Sequence, residues 1–242
     1  MPSPTTLIGA LARPLFESDG EVYVEKKGGI RSCAARLQEA VVSASFYYAP
    51  EKDRRGYAFA DINKYITLHY QNIVKTEPYM RRYSLKYRTG ALQVGKISFP
   101  SAKGVACYLL DEENLKRIVG HDWRMKVASA AWNLTRMGSK ESIVSVESVD
   151  VVETPRELTV PSEDKVKTVC YVPLRNVDVE SLVGQKYYIE RFWRGGWGRG
   201  DTPEYEDYII PGERSPISSE PIEVLLKEGK AFELGPSEVL CF

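Results

Sequence analysis

Gly104-Val105-Ala106-Cys107-Tyr108-Leu109-Leu110-Asp111-Glu112-Glu113-Asn114-Leu115-Lys116-Arg117-Ile118-Val119-Gly120 is the stretch that sets the fold class. Gly104 to Leu110 reads as a strand. Asp111 then opens a short helix. Glu112 and Glu113 in its first turn suit the positive end of the helix dipole, and Gly120 supplies the stop. A strand running directly into a capped helix, in a chain whose later part is a run of short strands with no helical period, indicates an α+β chain.

Working outward, a second helix is expected from about Trp123 to Met137, stopped by Gly138. A long alternating strand is expected from Ser142 to Val152. Upstream, Pro2 and Pro4 precede Thr5-Thr6-Leu7-Ile8-Gly9-Ala10-Leu11-Ala12, a helix entry with a threonine able to cap. Pro14 ends or kinks that helix. A glycine-containing loop runs to Gly28-Gly29. Ser32 then caps a further helix from Cys33 to about Phe46, with Leu37, Ala40, Val41 and Ala44 on one face. Tyr65 to Tyr70 alternates as a strand. Tyr83 to Arg88 and Leu92 to Phe99 form a hairpin turned at Thr89-Gly90.

Pro155 and Pro161 mark a linker. Beyond it come short strands separated by Gly and Pro: Val166 to Val172, Lys186 to Trp193, Tyr205 to Ile210, Ile222 to Leu226 and Ala231 to Leu234. The expected organisation is a first domain over residues 1–160 and a small all-β region over 161–242. The order α, β, hairpin, β, α, β fits a ferredoxin-like β-α-β-β-α-β domain with a hairpin inserted between its second and third strands. On that reading the usual first strand is missing.

The chain has 242 residues with 33 basic and 33 acidic side chains, 43% hydrophobic residues and 15 Tyr, so it is expected to fold around its own core. The four cysteines are far apart and form no CxxC or CxxH pattern, which argues against a zinc site and a disulfide framework. No apolar run reaches membrane-span length and no signal-peptide pattern is present, so the expectation is a soluble cytoplasmic protein with no membrane partner. The zero net charge hides a gradient. Tyr79 to Leu110 holds six bases and no acid, whereas Asp201 to Phe242 holds ten acids and three bases. Asn and Gln are scarce, five and four in all, as in thermophile proteins.

A basic stretch interleaved with aromatics can follow a phosphate backbone. Arg81, Arg82, Lys86, Arg88 and Lys96 would neutralise phosphates, and Tyr83 or Tyr87 would stack on bases; a solvated strand face is the plainer alternative. Gly138 serves as a helix stop, and with Arg136, Ser139 and Lys140 it also suits a phosphate or RNA-backbone cradle. The run Phe192-Trp193-Arg194-Gly195-Gly196-Trp197-Gly198-Arg199-Gly200 offers Arg194, Trp197 and Arg199 to unpaired bases and phosphates. It equally fits a plain loop or a protein contact. Only two histidines occur, His69 and His121, and no metal-ligand, nucleophile-elbow or Walker A pattern is present. No cofactor, metal or catalytic residue is expected.

Three motifs carry a resemblance. Pro2 to Ala12 resembles the PPPTTLIGALA entry of CRISPR-associated RAMP proteins of the Cas-five family. Lys86 to Lys96 is similar to the KYRxGAxQxGK stretch of that family's archaeal type I-A branch, and Arg136 to Ser142 to its RxGSKES loop. The resemblance implies a ferredoxin-like (RRM/RAMP) domain with an inserted β-hairpin thumb at about residues 80–100. It implies a non-catalytic subunit of an antiviral Cascade complex that binds the 5′ handle of the crRNA and caps the backbone-subunit filament. Its partners would be crRNA, the backbone RAMP subunit, other Cascade subunits and target DNA within the complex. The thumb maps to Arg82–Phe99 and the handle loop to Arg136–Ser142. Family members carry a strand before the first motif, where this sequence has Met1. Two alternatives stay open: a metal-independent endoribonuclease of precursor crRNA with His69 as base, or a protein-interaction module docking through its acidic end.

Overall fold

The computed structural model describes residues 1–17, 22–24, 30–49, 57–65, 91–98, 102–138, 142–161, 163–195, 204–214, 217–235 and 238–242. In chain order the first elements are α1 (Pro4–Leu15), β1 (Val22–Val24), β2 (Ile30–Ser32), α2 (Ala34–Gln38), β3 (Val41–Tyr48), β4 (Tyr57–Tyr65), β5 (Ala91–Ser98), β6 (Gly104–Leu110), α3 (Glu112–Val119) and α4 (Trp123–Trp132). They are followed by β7 (Arg156–Leu158), β8 (Val166–Thr168), β9 (Val172–Pro173), β10 (Tyr187–Trp193), β11 (Tyr205–Pro211), β12 (Ile222–Val224), β13 (Ala231–Gly235) and β14 (Glu238–Cys241). The architecture is α+β, with several small antiparallel sheets and few helices.

Two compact units separate, residues 1–50 with 104–242, and residues 51–103. The expected division near residue 160 does not coincide with this separation. Tyr171, Phe192 and Ile210 join the same buried cluster as Leu7, Leu11, Leu37 and Leu115.

In the first unit α1 begins at Ser3, whose hydroxyl accepts from Thr6 N at 3.2 Å. The cap is thus Ser3 rather than a threonine. Leu7, Ile8, Leu11 and Ala12 bury one face. Pro14 lies in the last turn, and the helix ends one residue later. Phe16 N closes it onto Ala12 O.

The helix expected over 33–46 is corrected. Only Ala34–Gln38 is helical, and Val41–Tyr48 is a strand. Val41 and Val42 are stiff at χ1, and Phe46, Tyr47 and Tyr48 favour a pleated surface. A helical period matches these residues because β3 is buried on both faces. Ala44 and Phe46 join the helical core, while Tyr47 joins a second cluster with Cys107, Cys170 and Leu240. A strand covered on both sides loses its alternation.

β3 pairs antiparallel with β6, from Val41 opposite Leu110 to Tyr48 opposite Gly104. α3 follows directly, with Asp111 Oδ1 accepting from Asn114 N at 2.7 Å and Gly120 at φ 101° closing it. α4 stops at Trp132 with Asn133 as its cap, short of the expected Met137. Residues 142–152 were expected as a strand. Instead only Ile143 makes a bridge, to Arg136, and Ile143, Val151 and Val152 stay exposed. The alternating pattern there has no sheet partner among the described residues.

The remaining strands form three small sheets, ordered β10-β11-β9, β12-β8 and β14-β13-β7. The expected linker supplies a strand: Arg156–Leu158 pairs with Ala231–Glu233 on β13. Val166 to Val172 is two strands rather than one. β12 ends at Val224, and Leu226 instead bridges Val177. β14 and the β1–β2 pair were not expected from the sequence. No helix among the described residues is long and apolar enough to cross a membrane.

In the second unit β4 pairs antiparallel with β5, from Tyr57 opposite Ser98 to Tyr65 opposite Ala91. The expected hairpin partner of 92–99, residues 83–88, lies outside the described residues, as do residues 66–70. The strand that pairs with β5 is the earlier Tyr57–Tyr65.

Candidate nucleic-acid interface

The structure brings together two segments far apart in sequence. The chain leaves α4 and turns back on itself at Gly138. Met137 N donates to Ser142 O at 3.1 Å, and Val144 N donates to Thr135 O at 3.0 Å. Gly138 holds φ at 100°, a backbone state glycine adopts without strain. A Cβ at this position would lie 3.6 Å from Thr6 Cγ2. The glycine turn therefore lies beside the first turn of α1.

That first turn is rich in hydroxyls. Ser3 Oγ lies 2.9 Å from both Thr5 Oγ1 and Thr6 Oγ1. Pro4 has no N–H, Thr6 N is held by Ser3 Oγ, and Leu7 N by Ser3 O. The Thr5 amide is left without a partner among the described residues. No acid occupies the first turn, so nothing there neutralises the positive end of the helix. A helix start, three hydroxyls and an exposed glycine turn carrying exposed Arg136 form a surface suited to an anionic oxygen.

Two tyrosines, the partly buried Tyr108 and the buried Tyr171, fix this corner. Tyr108 Oη donates to Leu7 O at 3.0 Å, and Tyr171 Oη donates to Pro2 O at 3.1 Å. Burial drives the pKa of both phenols upward, so they remain donors well into alkaline solution. Sequence reasoning found Arg136 and Gly138 but missed Ser3, Thr5 and Thr6 as site residues. The available signal was a helix first turn with hydroxyls and no carboxylate.

The other expected residues are placed as follows. Lys96 lies on β5, opposite Phe59 in the register. Arg81, Arg82, Tyr83, Lys86, Tyr87, Arg88, Ser139, Lys140, Trp197 and Arg199 lie outside the described residues, as does His69. Arg194 directly follows β10, and its carbonyl accepts from Gln38 Nε2 at 3.1 Å. Its guanidinium sits 3.6 Å from Glu206, a carboxylate with only 9% of its side chain exposed. Arg175 approaches the same carboxylate at 2.9 Å, an ion pair without hydrogen-bond geometry. Tyr208 Oη donates to its other oxygen at 2.8 Å. The charge of Arg194 is thus shared with a carboxylate, which reduces what it can offer a phosphate. At the root of the same loop Trp193 and Tyr205 face each other across the β10–β11 pair, and both are exposed. Among the described residues no group of His, Cys, Asp and Glu is arranged to hold a metal ion.

The chain is 28% identical over 248 residues to a protein of Saccharolobus solfataricus named CRISPR system aCascade subunit Cas5 1, covering 99% of this chain and 87% of that one. It is a homologue of the Cas5 proteins. A second Saccharolobus solfataricus Cas5, named CRISPR-associated protein Cas5 3, is 27% identical over 245 residues with the same coverage. No protein-family model matches the chain. Among solved structures, a CRISPR protein from Archaeoglobus fulgidus shares the fold with a TM-score of 0.53 at 19% identity, covering 99% of this chain and 86% of that one. The chain therefore resembles these relatives over nearly its whole length.

Proposed function

We propose that this chain is a non-catalytic crRNA-binding subunit of a type I Cascade complex. It holds the 5′ handle and caps the backbone-subunit filament. The observation that carries this reading is the meeting of the α1 start with the Gly138 turn, in a chain whose relatives include a named aCascade subunit. In this reading the hydroxyls of Ser3, Thr5 and Thr6, the Thr5 amide and Arg136 receive handle phosphates, joined by Ser139 and Lys140. The basic residues from Arg81 to Lys96 run along the guide. Unpaired bases are read on their edges and by stacking, as is usual for single-stranded RNA.

The same reading takes the first unit as ferredoxin-like. β3 and β6 are then its second and third strands, and the β4–β5 hairpin is inserted between them in the chain. Apolar packing of α1 and α4 on β3 and β6 supports that view.

The test is handle-RNA binding by the purified chain and by its Cascade assembly. Thr6→Val combined with Arg136→Ala is expected to weaken binding by about tenfold, since charged hydrogen bonds contribute roughly 1.5–3 kcal/mol each before compensation. Binding should fall steeply with salt, in proportion to the phosphates neutralised. Unchanged affinity and salt slope in the double variant would remove this corner from the interface. Cleavage of repeat RNA by the chain alone would replace the proposal with a nuclease.

A further inference from the structure

Cys107 and Cys170 belong to the same small buried cluster, with Tyr47 and Leu240. Cys107 is 7% exposed and Cys170 is fully buried. Cys107 lies on β6 directly opposite Ser45 of β3. Ser45 Oγ accepts from Tyr171 N at 2.7 Å, and Cys170 N donates to Thr168 Oγ1 at 2.9 Å. The Tyr171 tie holds residue 170 beside the β3–β6 pair, and its thiol shares one buried cluster with that of Cys107, close enough to interact with it. The other two cysteines are sequestered elsewhere. Cys33 packs in the helical core, and Cys241 packs in the C-terminal β cluster.

We propose that Cys107 and Cys170 form an intramolecular disulfide that staples β6 to the segment leading into β9. The oxidant is a small-molecule disulfide or a dithiol–disulfide oxidoreductase. One cysteine loses its proton, and its thiolate attacks the oxidant's disulfide. A mixed disulfide forms and one thiol is released. The second cysteine thiolate attacks the mixed disulfide at the first cysteine's sulfur, and the second thiol leaves. One S–S bond forms, one is broken, and two electrons pass from the cysteines to the oxidant; the cysteines' two protons are balanced by those on the released thiols.

The timing follows from the setting. The contact with Cys170, and then burial, raise the Cys107 pKa, so its thiolate is disfavoured once the cluster has closed. Exchange therefore takes place while the 168–173 segment is undocked, during folding or on partial opening. The link then persists because reductants cannot reach it. It closes a long loop between two parts of one core, the setting in which a cross-link restricts the unfolded chain most.

The experiment is peptide mapping of the purified chain after equilibration in oxidised or reduced glutathione buffer, denaturation and alkylation with N-ethylmaleimide. Trypsin cuts after Lys103, Lys116, Lys167 and Arg175. A linked pair of peptides, 104–116 with 168–175, is expected from oxidised buffer and is lost after reduction. The oxidised form should melt about 5–15 °C above the reduced one. Cys107→Ala should abolish the linked pair and the redox dependence of melting. Alkylation of both Cys107 and Cys170 in oxidised buffer, or links to Cys33 or Cys241 in their place, would overturn the proposal. Should the variant fail to fold, the wild-type map alone decides.

Discussion

At Gly138 two demands meet, one from the backbone and one from a neighbour. Its φ of 100° disfavours any residue with a Cβ, whereas the nearest atom to that Cβ, Thr6 Cγ2 at 3.6 Å, is at ordinary contact distance. The cost of Gly138→Ala is therefore backbone strain and not crowding, about 1–2 kcal/mol. The variant is expected to melt a few degrees lower and to bind handle RNA less well, because the turn that carries Arg136 shifts away from α1. A thermal melt and a binding isotherm check both. Unchanged melting would show that the turn accommodates a left-handed alanine. In the sequence, Gly138 and Arg136 were visible as a glycine turn beside a base. Ser3, Thr5 and Thr6 were visible only as helix-entry residues, because nothing local says that the glycine turn folds onto them.

Elements differed in how plainly their residues announced them, for physical reasons. α3 was legible from end to end, since Asp111, Glu112, Glu113 and Gly120 act within one or two turns. Asp111→Ala removes the 2.7 Å bond to Asn114 N and is expected to cost about 1 kcal/mol, a fall of about 2–4 °C in melting temperature. A loss below one degree would mean that another acceptor takes over the cap. β3 was misread because burial on both faces erased its period. Residues 142–152 erred the other way: they keep a strand's alternation, yet no sheet partner among the described residues turns it into a ladder. β7 was hidden between Pro155 and Pro161, whose punctuation suggested a linker. Its pairing with β13 depends on a strand more than seventy residues later, which no local signal encodes.

Across the whole molecule the acidic end is less bare than its composition suggests. Glu206, Asp207, Glu213, Glu220 and Glu233 pair with Arg175, Arg191, Lys186 and Arg156 from the preceding segment. Much of the negative charge after Asp201 is therefore neutralised within the β region; apart from Glu206, whose carboxylate is buried, these pairs lie at the surface and contribute little stability individually. The tyrosines set the alkaline limit. Burial is the first cause that raises the phenols of Tyr47, Tyr108, Tyr171, Tyr188 and Tyr208 above their ordinary value of 10.0, with Tyr188 pushed up to about 12. The folded chain holds these protons more tightly than the unfolded chain does. Their stabilisation is complete below pH 10 and is lost as pH rises through the folded values. Circular dichroism and phenolate absorbance, followed together from neutral to strongly alkaline pH, should change in concert. Titration of these phenols near their ordinary value in a still-folded chain would contradict the burial argument.

The corner at the start of α1 also fixes an order of events on the ribosome. Its helix leaves the exit tunnel well ahead of Tyr108, Gly138 and Tyr171, which flank and hold its first turn and follow more than a hundred residues later. Domains tend to fold as they emerge, yet this surface can be assembled only when translation has passed Tyr171. A nascent chain stalled before that point would carry every residue of the first motif and still offer no finished seat for an anion.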